Sequence, residues 1–246
     1  MNGRERMLAA LQGEPVDRAP IWLREGFPVI LGPAEADDFQ RGWQADPLYR
    51  ELYDYVEPHV DTIKGFGGIP HNRWCMVPGR AVEGETIEET SERRVHKTTI
   101  HTPKGDLHEI REFHRGEATG WVTRHMVETR EELEMLVSVP FELAPECFEH
   151  LARNEQEARE QTGDRGVTRA FLSSPVVCIS GAMPFEMFLE LSMTEREWFH
   201  EICEEITNRY LAVLEAWWSF REPDCTFCLG GSEQCTPPMM RPEAYD

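Results

Sequence analysis

The residues able to do chemistry in this sequence lie just after short apolar runs, beside glycines. The run Asp224–Leu229 ends at Gly230 and Gly231 and opens into Ser232, Glu233, Gln234, Cys235 and Thr236. A glutamate there acts as a general base or acid if burial raises its pKa. Ser232 would contact a substrate, with Gly230 and Gly231 letting backbone approach it closely. His71, in Gly67-Gly68-Ile69-Pro70-His71-Asn72-Arg73, is the second acid/base candidate. Arg24 follows Pro20–Leu23 and could grip a carboxylate or phosphate with both arms of its guanidinium. Each has a plainer reading. Glu233 could be a solvated loop carboxylate, His71 polar lining, and Arg24 the partner of Glu25 or Asp17.

Cys225-Thr226-Phe227-Cys228 with Cys235 invites zinc, because thiolates are good zinc ligands. On a strand, however, positions three apart face opposite sides, and no second ligand pair follows. Buried, inert thiols are the preferred reading, with Cys235 kept as an accessible thiol or single metal ligand. His96, His101, His108 and His114 fall at alternating exposed positions of a ribbon and are not taken as a cluster. Asp61 is read as structural, and Trp217-Trp218 as packing.

The totals narrow the classes. The 246 residues suffice for one large α/β domain or two small ones. A net charge of −20 disfavours nucleic acid and anionic membrane surfaces as partners. No apolar run approaches the roughly 20 residues of a membrane span, and MNGRERMLAAL lacks a signal-peptide core, which points to a cytoplasmic protein. The seven cysteines are odd in number and scattered, as expected of reduced thiols.

Four runs read as strands: Pro20–Leu23, Val60–Lys64, Gly166–Ser174 (closed by Pro175) and Asp224–Leu229. Helices are expected over Asn2–Gln12 with an Asn2/Glu5 capping box, Leu48–Glu57, Thr129–Val137, Glu146–Gln161 and Pro184–Leu191. The longest helix should be capped by Thr194 with Glu197. Its stripe of Phe199, Ile202, Ile206, Tyr210, Val213, Leu214 and Trp217 keeps helical spacing. Between Gly84 and Val127 the texture turns to alternation: Val95–His101 and Leu107–Phe113 flank a proline-glycine turn, with Trp121–Val127 as a third strand. That region, 84–127, reads as an antiparallel excursion within one domain.

Strands separated by helices, each leading into a glycine-hinged loop, are the units of an α/β barrel, whose chemistry sits in the loops after the strands. RERMLAALQGEPVDRAPIWL at Arg4–Leu23 resembles the N-terminal signature of the uroporphyrinogen decarboxylase superfamily, which includes cobalamin:coenzyme M methyltransferases. HTPKGDL at His101–Leu107 and GGSEQCTPPMMRPEAYD at the C-terminus are similar to its methyltransferase-like branches. The resemblance implies a TIM-type (β/α)8 barrel of which residues 1–246 are about the first half, in a single incomplete domain. It implies an enzyme, a carboxy-lyase or a methyltransferase, acting at the barrel mouth on a tetrapyrrole-type or methylated small substrate.

The decarboxylase's residues carry over poorly. Arg24 matches one of its two signature arginines, and the other falls in Glu25–Pro28. The catalytic aspartate's place lands near Gly68, the tyrosine's near Gly181, and Ser232 alone matches the substrate-contacting serine. A decarboxylase would need no cofactor. A methyltransferase would use zinc, held by a His-x-Cys pair and a later Cys beyond Asp246, and a corrinoid-carrying partner protein. A homodimer and a non-catalytic binding barrel also fit. Half a barrel should expose strand edges and aggregate when isolated.

Overall fold

The computed structural model describes residues 1–23, 32–70, 74–117 and 119–231. It is a mixed α/β fold with two sheets and, among the described residues, no closed barrel. Three strands, β1 (Thr62–Phe66), β6 (Gly166–Ser173) and β7 (Thr226–Gly230), form a parallel sheet in the order β1-β6-β7. Four others, β2 (Val82–Glu89), β3 (Arg93–Thr102), β4 (Gly105–His114) and β5 (Gly120–Arg124), form an antiparallel sheet in chain order.

Parallel neighbours require a crossover, and helices supply it. α1 (Gly3–Gln12) and α2 (Pro47–Val56) precede β1, and between β1 and β6 the chain passes through the antiparallel sheet, then α3 (Arg130–Val137) and α4 (Pro145–Thr162). Between β6 and β7 come α5 (Pro175–Ser180), α6 (Phe185–Thr194) and α7 (Arg196–Phe220). Pleating gives the sheet two distinct faces. The cross-strand row Phe66, Ala170 and Phe227 meets α7 through Trp217, whose ring lies 6.3 Å from that of Phe66 and 5.5 Å from that of Phe227. The adjacent row, Gly65, Arg169 and Thr226, turns to the opposite face.

One buried cluster runs through both sheets: Ile100 and Leu107 of the antiparallel sheet belong to it together with Ala170, Phe188 and Trp217. The α7 stripe enters it through Phe199, Ile206, Tyr210, Val213 and Trp217. Arg209 is buried on the same helix and its Nη2 donates to the Val137 carbonyl at 2.6 Å.

Several expectations need correcting. Pro20–Leu23 forms no strand. Asp61 N donates to the Ile21 carbonyl at 2.7 Å, but Ile21 N donates to the Asp61 carboxylate at 3.0 Å, so a side chain takes the place of the ladder. Thr194 does not cap the long helix: it ends α6, its Oγ1 donating to the Glu190 carbonyl, and α7 has no side-chain cap. Pro175 opens α5 under a Ser174 cap, since a proline at the first helical position forfeits no intrahelical bond. The expected third strand of the ribbon is shorter, Gly120–Arg124, and β2 adds a strand that Gly84 and its run of exposed glutamates concealed.

The two capping sites Asn2 and Thr129 form as expected, Asn2 with the full reciprocal pair to Glu5. No described helix is long and apolar enough to cross a membrane.

Candidate functional site

The segment Arg4–Leu23 lies at the N-terminal ends of the parallel strands. Asp61, 2% exposed just before β1, takes the Arg6 Nη1 hydrogen at 2.5 Å and that of Arg18 Nη1 at 2.9 Å. Asp17 holds Arg6 from the other side, and that guanidinium keeps the Asp17 carboxyl well below the usual carboxylate range. Arg4 reaches Asp224 at 3.3 Å, where Arg159 also binds, and the buried Glu155 accepts from Asp224 N at 2.6 Å. Glu155, on an acidic helix, is 1% exposed and pairs with Arg221. These ion pairs clamp the starts of β1 and β7. Asp61 has a structural role.

At the opposite end the strands open into glycines. Gly68 has φ +100° and lies against α4: a Cβ on it would come 2.7 Å from Asn154 Nδ2, which donates to the Gly67 carbonyl. After β7, Gly231 has φ +97°, and a Cβ there would meet Val177 Cγ1 at 2.9 Å. Both positions demand glycine on conformation and on space. Gly230 packs on Phe171. Gly230 and Gly231 thus form a tight exit from β7. Arg24, His71, Ser232, Glu233 and Cys235 lie outside the described residues.

A cavity of about 920 Å³ opens at the tips of β1 and β6. Phe66, Ile69, Trp74, Val82, Leu143 and Phe171 line it, with Cys147 and His150 of α4 as its thiol and imidazole. Cys147 and His150 are three apart, so they share a helix face. The cation at its rim, Arg80, is bound to Glu142 and lowers that carboxyl's pKa. Phe171 is 42% exposed although it sits in mid-sheet, on the face opposite the row that meets Trp217.

Beneath the cavity, Trp74, Cys75 and Met76 all have positive φ, at 41°, 57° and 64°. Three such residues in succession are strained, and surrounding contacts hold them. Cys75 is fully buried and its N–H donates to Cys178 Sγ at 3.2 Å, while Arg209 Nη1 donates to its carbonyl at 3.4 Å. Hydrogen bonds from Cys75 and Tyr210 draw the Cys178 thiol down, and the thiol of Cys75, which gives a hydrogen bond to Cys178 in deep burial, is pushed well up.

The cysteines of the β7 region behave differently. Cys225, before the strand, packs against the buried cluster, and burial beside Glu155 raises its thiol to about 12. Cys228 pairs in register with Phe171 on the other face. Among the described residues no three His, Cys, Asp or Glu side chains gather as a metal site. The ribbon histidines are spent separately: His108 Nδ1 on Thr99 at 3.1 Å, His101 on Asp106 and Glu83.

Sequence reasoning passed over Arg169. It is the charged residue in the middle of Gly166–Ser173, GVTRAFLS, and that charge within an otherwise uncharged strand was the available signal. Its guanidinium lies over the Trp22 ring, 5.2 Å from the centroid.

No family model matches the chain, and no curated protein matches it. Among solved structures, a methyltransferase from Methanosarcina mazei aligns over 100% of this chain and 63% of its own, with 14% identity and a TM-score of 0.47. The chain thus spans less than two thirds of the length of that methyltransferase.

Proposed function

We propose that residues 1–246 are part of a uroporphyrinogen decarboxylase-superfamily enzyme acting at the C-terminal tips of its parallel strands, and that its reaction is methyl transfer rather than decarboxylation. The sequence resemblance suggests the family. The cavity at the tips of β1 and β6 carries the choice of reaction. Its described lining is mostly apolar, and Arg80, the one cation on it, is already neutralised by Glu142. A substrate with several carboxylates needs several free guanidinium or ammonium groups. A methyl group and the sulfur that accepts it need neither. A dry wall instead strips water from a thiolate and leaves it the stronger nucleophile.

In this proposal Arg24, Ser232 and the Gly230-Gly231 backbone position substrate, and His71 and Glu233 handle protons. Zinc, if used, would activate the acceptor thiol by lowering its pKa. Its ligands would come from outside residues 1–246, and the methyl group from a corrinoid-carrying partner protein. The decisive experiment mixes the full-length protein with methylcobalamin and a series of small thiols and follows loss of the methylcobalamin absorbance. Thiol-dependent demethylation, with zinc bound in stoichiometric amount, supports the proposal. Release of carbon dioxide from uroporphyrinogen without methyl transfer would replace it with the decarboxylase. Inertness in both assays would leave a binding barrel.

A further inference from the structure

We propose that Arg169 and Trp22 form an anion-binding subsite on the sheet face opposite α7, which holds a carboxylate, sulfate-like or phosphate group of the substrate. This deepens the reading of the strand tips as the active site and is independent of which reaction occurs there.

The charge bookkeeping of the molecule carries the inference. Four described arginines, Arg93, Arg111, Arg130 and Arg169, have a buried Nε without a hydrogen-bond partner. The first three use their outer nitrogens on carboxylates: Arg93 on Glu112, Arg111 on Glu109 and Arg130 on Glu134. Arg169 has no ion pair and no side-chain hydrogen bond among the described residues, and its contact is with the face of Trp22. Among the described arginines whose Nε is buried without a partner, Arg169 is the one whose outer nitrogens meet no carboxylate. A guanidinium has five N–H donors and no acceptor, so partial burial without a partner costs stability that an arriving anion restores.

Its surroundings suit a ligand. Gly65, its register partner on β1, has no side chain and is exposed, leaving that flank clear. Thr226, on β7, directs its hydroxyl to the Thr168 carbonyl and so does not compete. Phe171, two residues on, shares the face and lines the cavity. A ligand filling that cavity past Phe171 would bring its charged end toward Arg169. The guanidinium carbon sits 5.2 Å from the Trp22 ring centroid, and the planar fork of an arginine suits two-point contact with an oxyanion.

The test titrates the full-length protein with sodium phosphate, sulfate and acetate at constant ionic strength, with chloride as the reference ion, by calorimetry. The three anions separate a phosphate, a sulfate-like and a carboxylate group. At least one should bind saturably, and Arg169→Gln should weaken it about tenfold or more. Arg169→Lys, which keeps the charge and loses the fork, should fall between. Saturable binding unchanged in Arg169→Gln, or no saturable binding of any of the three, overturns the proposal. If Arg169→Gln fails to fold, phenylglyoxal labelling of the wild type decides: the best anion should slow modification at Arg169 several-fold, and equal labelling with and without anion is fatal to it. Anion binding without methyl transfer would leave the subsite standing and remove the proposed reaction. Methyl transfer without anion binding would do the reverse.

Discussion

The two sheets of this molecule are specified by different physics. The parallel sheet is held by rows of side chains against helices, as Phe66, Ala170 and Phe227 against Trp217. Its other face carries Arg169 and Phe171, which nothing in a simple core requires. The antiparallel sheet is held in register by pairs across neighbouring strands. Glu85 faces Lys97, Glu89 faces Arg94 and His101 faces Asp106, each an opposite-charge or hydrogen-bonded pair at directly paired positions. Burial therefore defines one sheet and surface pairing tunes the other. The face left over on the parallel sheet is where the proposed anion subsite lies.

The comparison can be broken most forcefully at Trp217. Trp217→Ala removes a fully buried indole, and chemical denaturation should show a loss of about 4 kcal/mol. Because Ile100 and Leu107 share its cluster, hydrogen exchange should show β3 and β4 losing protection along with β6. If their amides stay protected, the antiparallel sheet has a core of its own and residues 84–127 are not an excursion of one domain.

Gly231→Ala is expected to cost about 1–2 kcal/mol from the positive φ alone, with crowding against Val177 added. The change should appear in a lowered thermal midpoint and in altered exchange at Val177. An unchanged midpoint would mean that the exit from β7 is not the tight turn described above. By contrast, Glu89→Ala removes one half of an exposed pair with Arg94, and the loss should be at most about 0.5 kcal/mol.

The smallest effect is the pH response of the ribbon turn. Asp106, and then Glu83, raise the His101 pKa above its ordinary 6.5. A raised folded-state pKa means the stabilisation is complete below 6.5 and fades as pH rises through the folded value. An NMR titration should place the His101 midpoint above 6.5, and Asp106→Asn should move it down. A midpoint at or below 6.5 in the wild type would show that the pair does not hold the turn.

Much of the parallel sheet was legible from sequence. Val60–Lys64, Gly166–Ser174 and Asp224–Leu229 each contain a short apolar or β-branched run bounded by glycine or proline, and a strand forms in each place within two residues of the expected ends. Pro20–Leu23 has the same look but no strand, because its ladder partner became the Asp61 carboxylate. That competition is between residues 40 apart, and no local pattern contains it. The same distance hides the Arg6–Asp61–Arg18 clamp, although its members are plain in the sequence.

By itself, the sequence determined the local grammar: the caps at Asn2 and Thr129, the apolar stripe of α7, the ribbon turn after Thr102, and the glycines that end strands. These depend on neighbours three or four positions away or on a single residue's own backbone freedom. Only the tertiary structure decided which charges are spent. Among the described arginines with a buried, unpartnered Nε, Arg93, Arg111 and Arg130 meet carboxylates, whereas Arg169 meets the ring of Trp22. Whether a charge is neutralised depends on which strands the helices bring together, and that is fixed by packing across the whole chain.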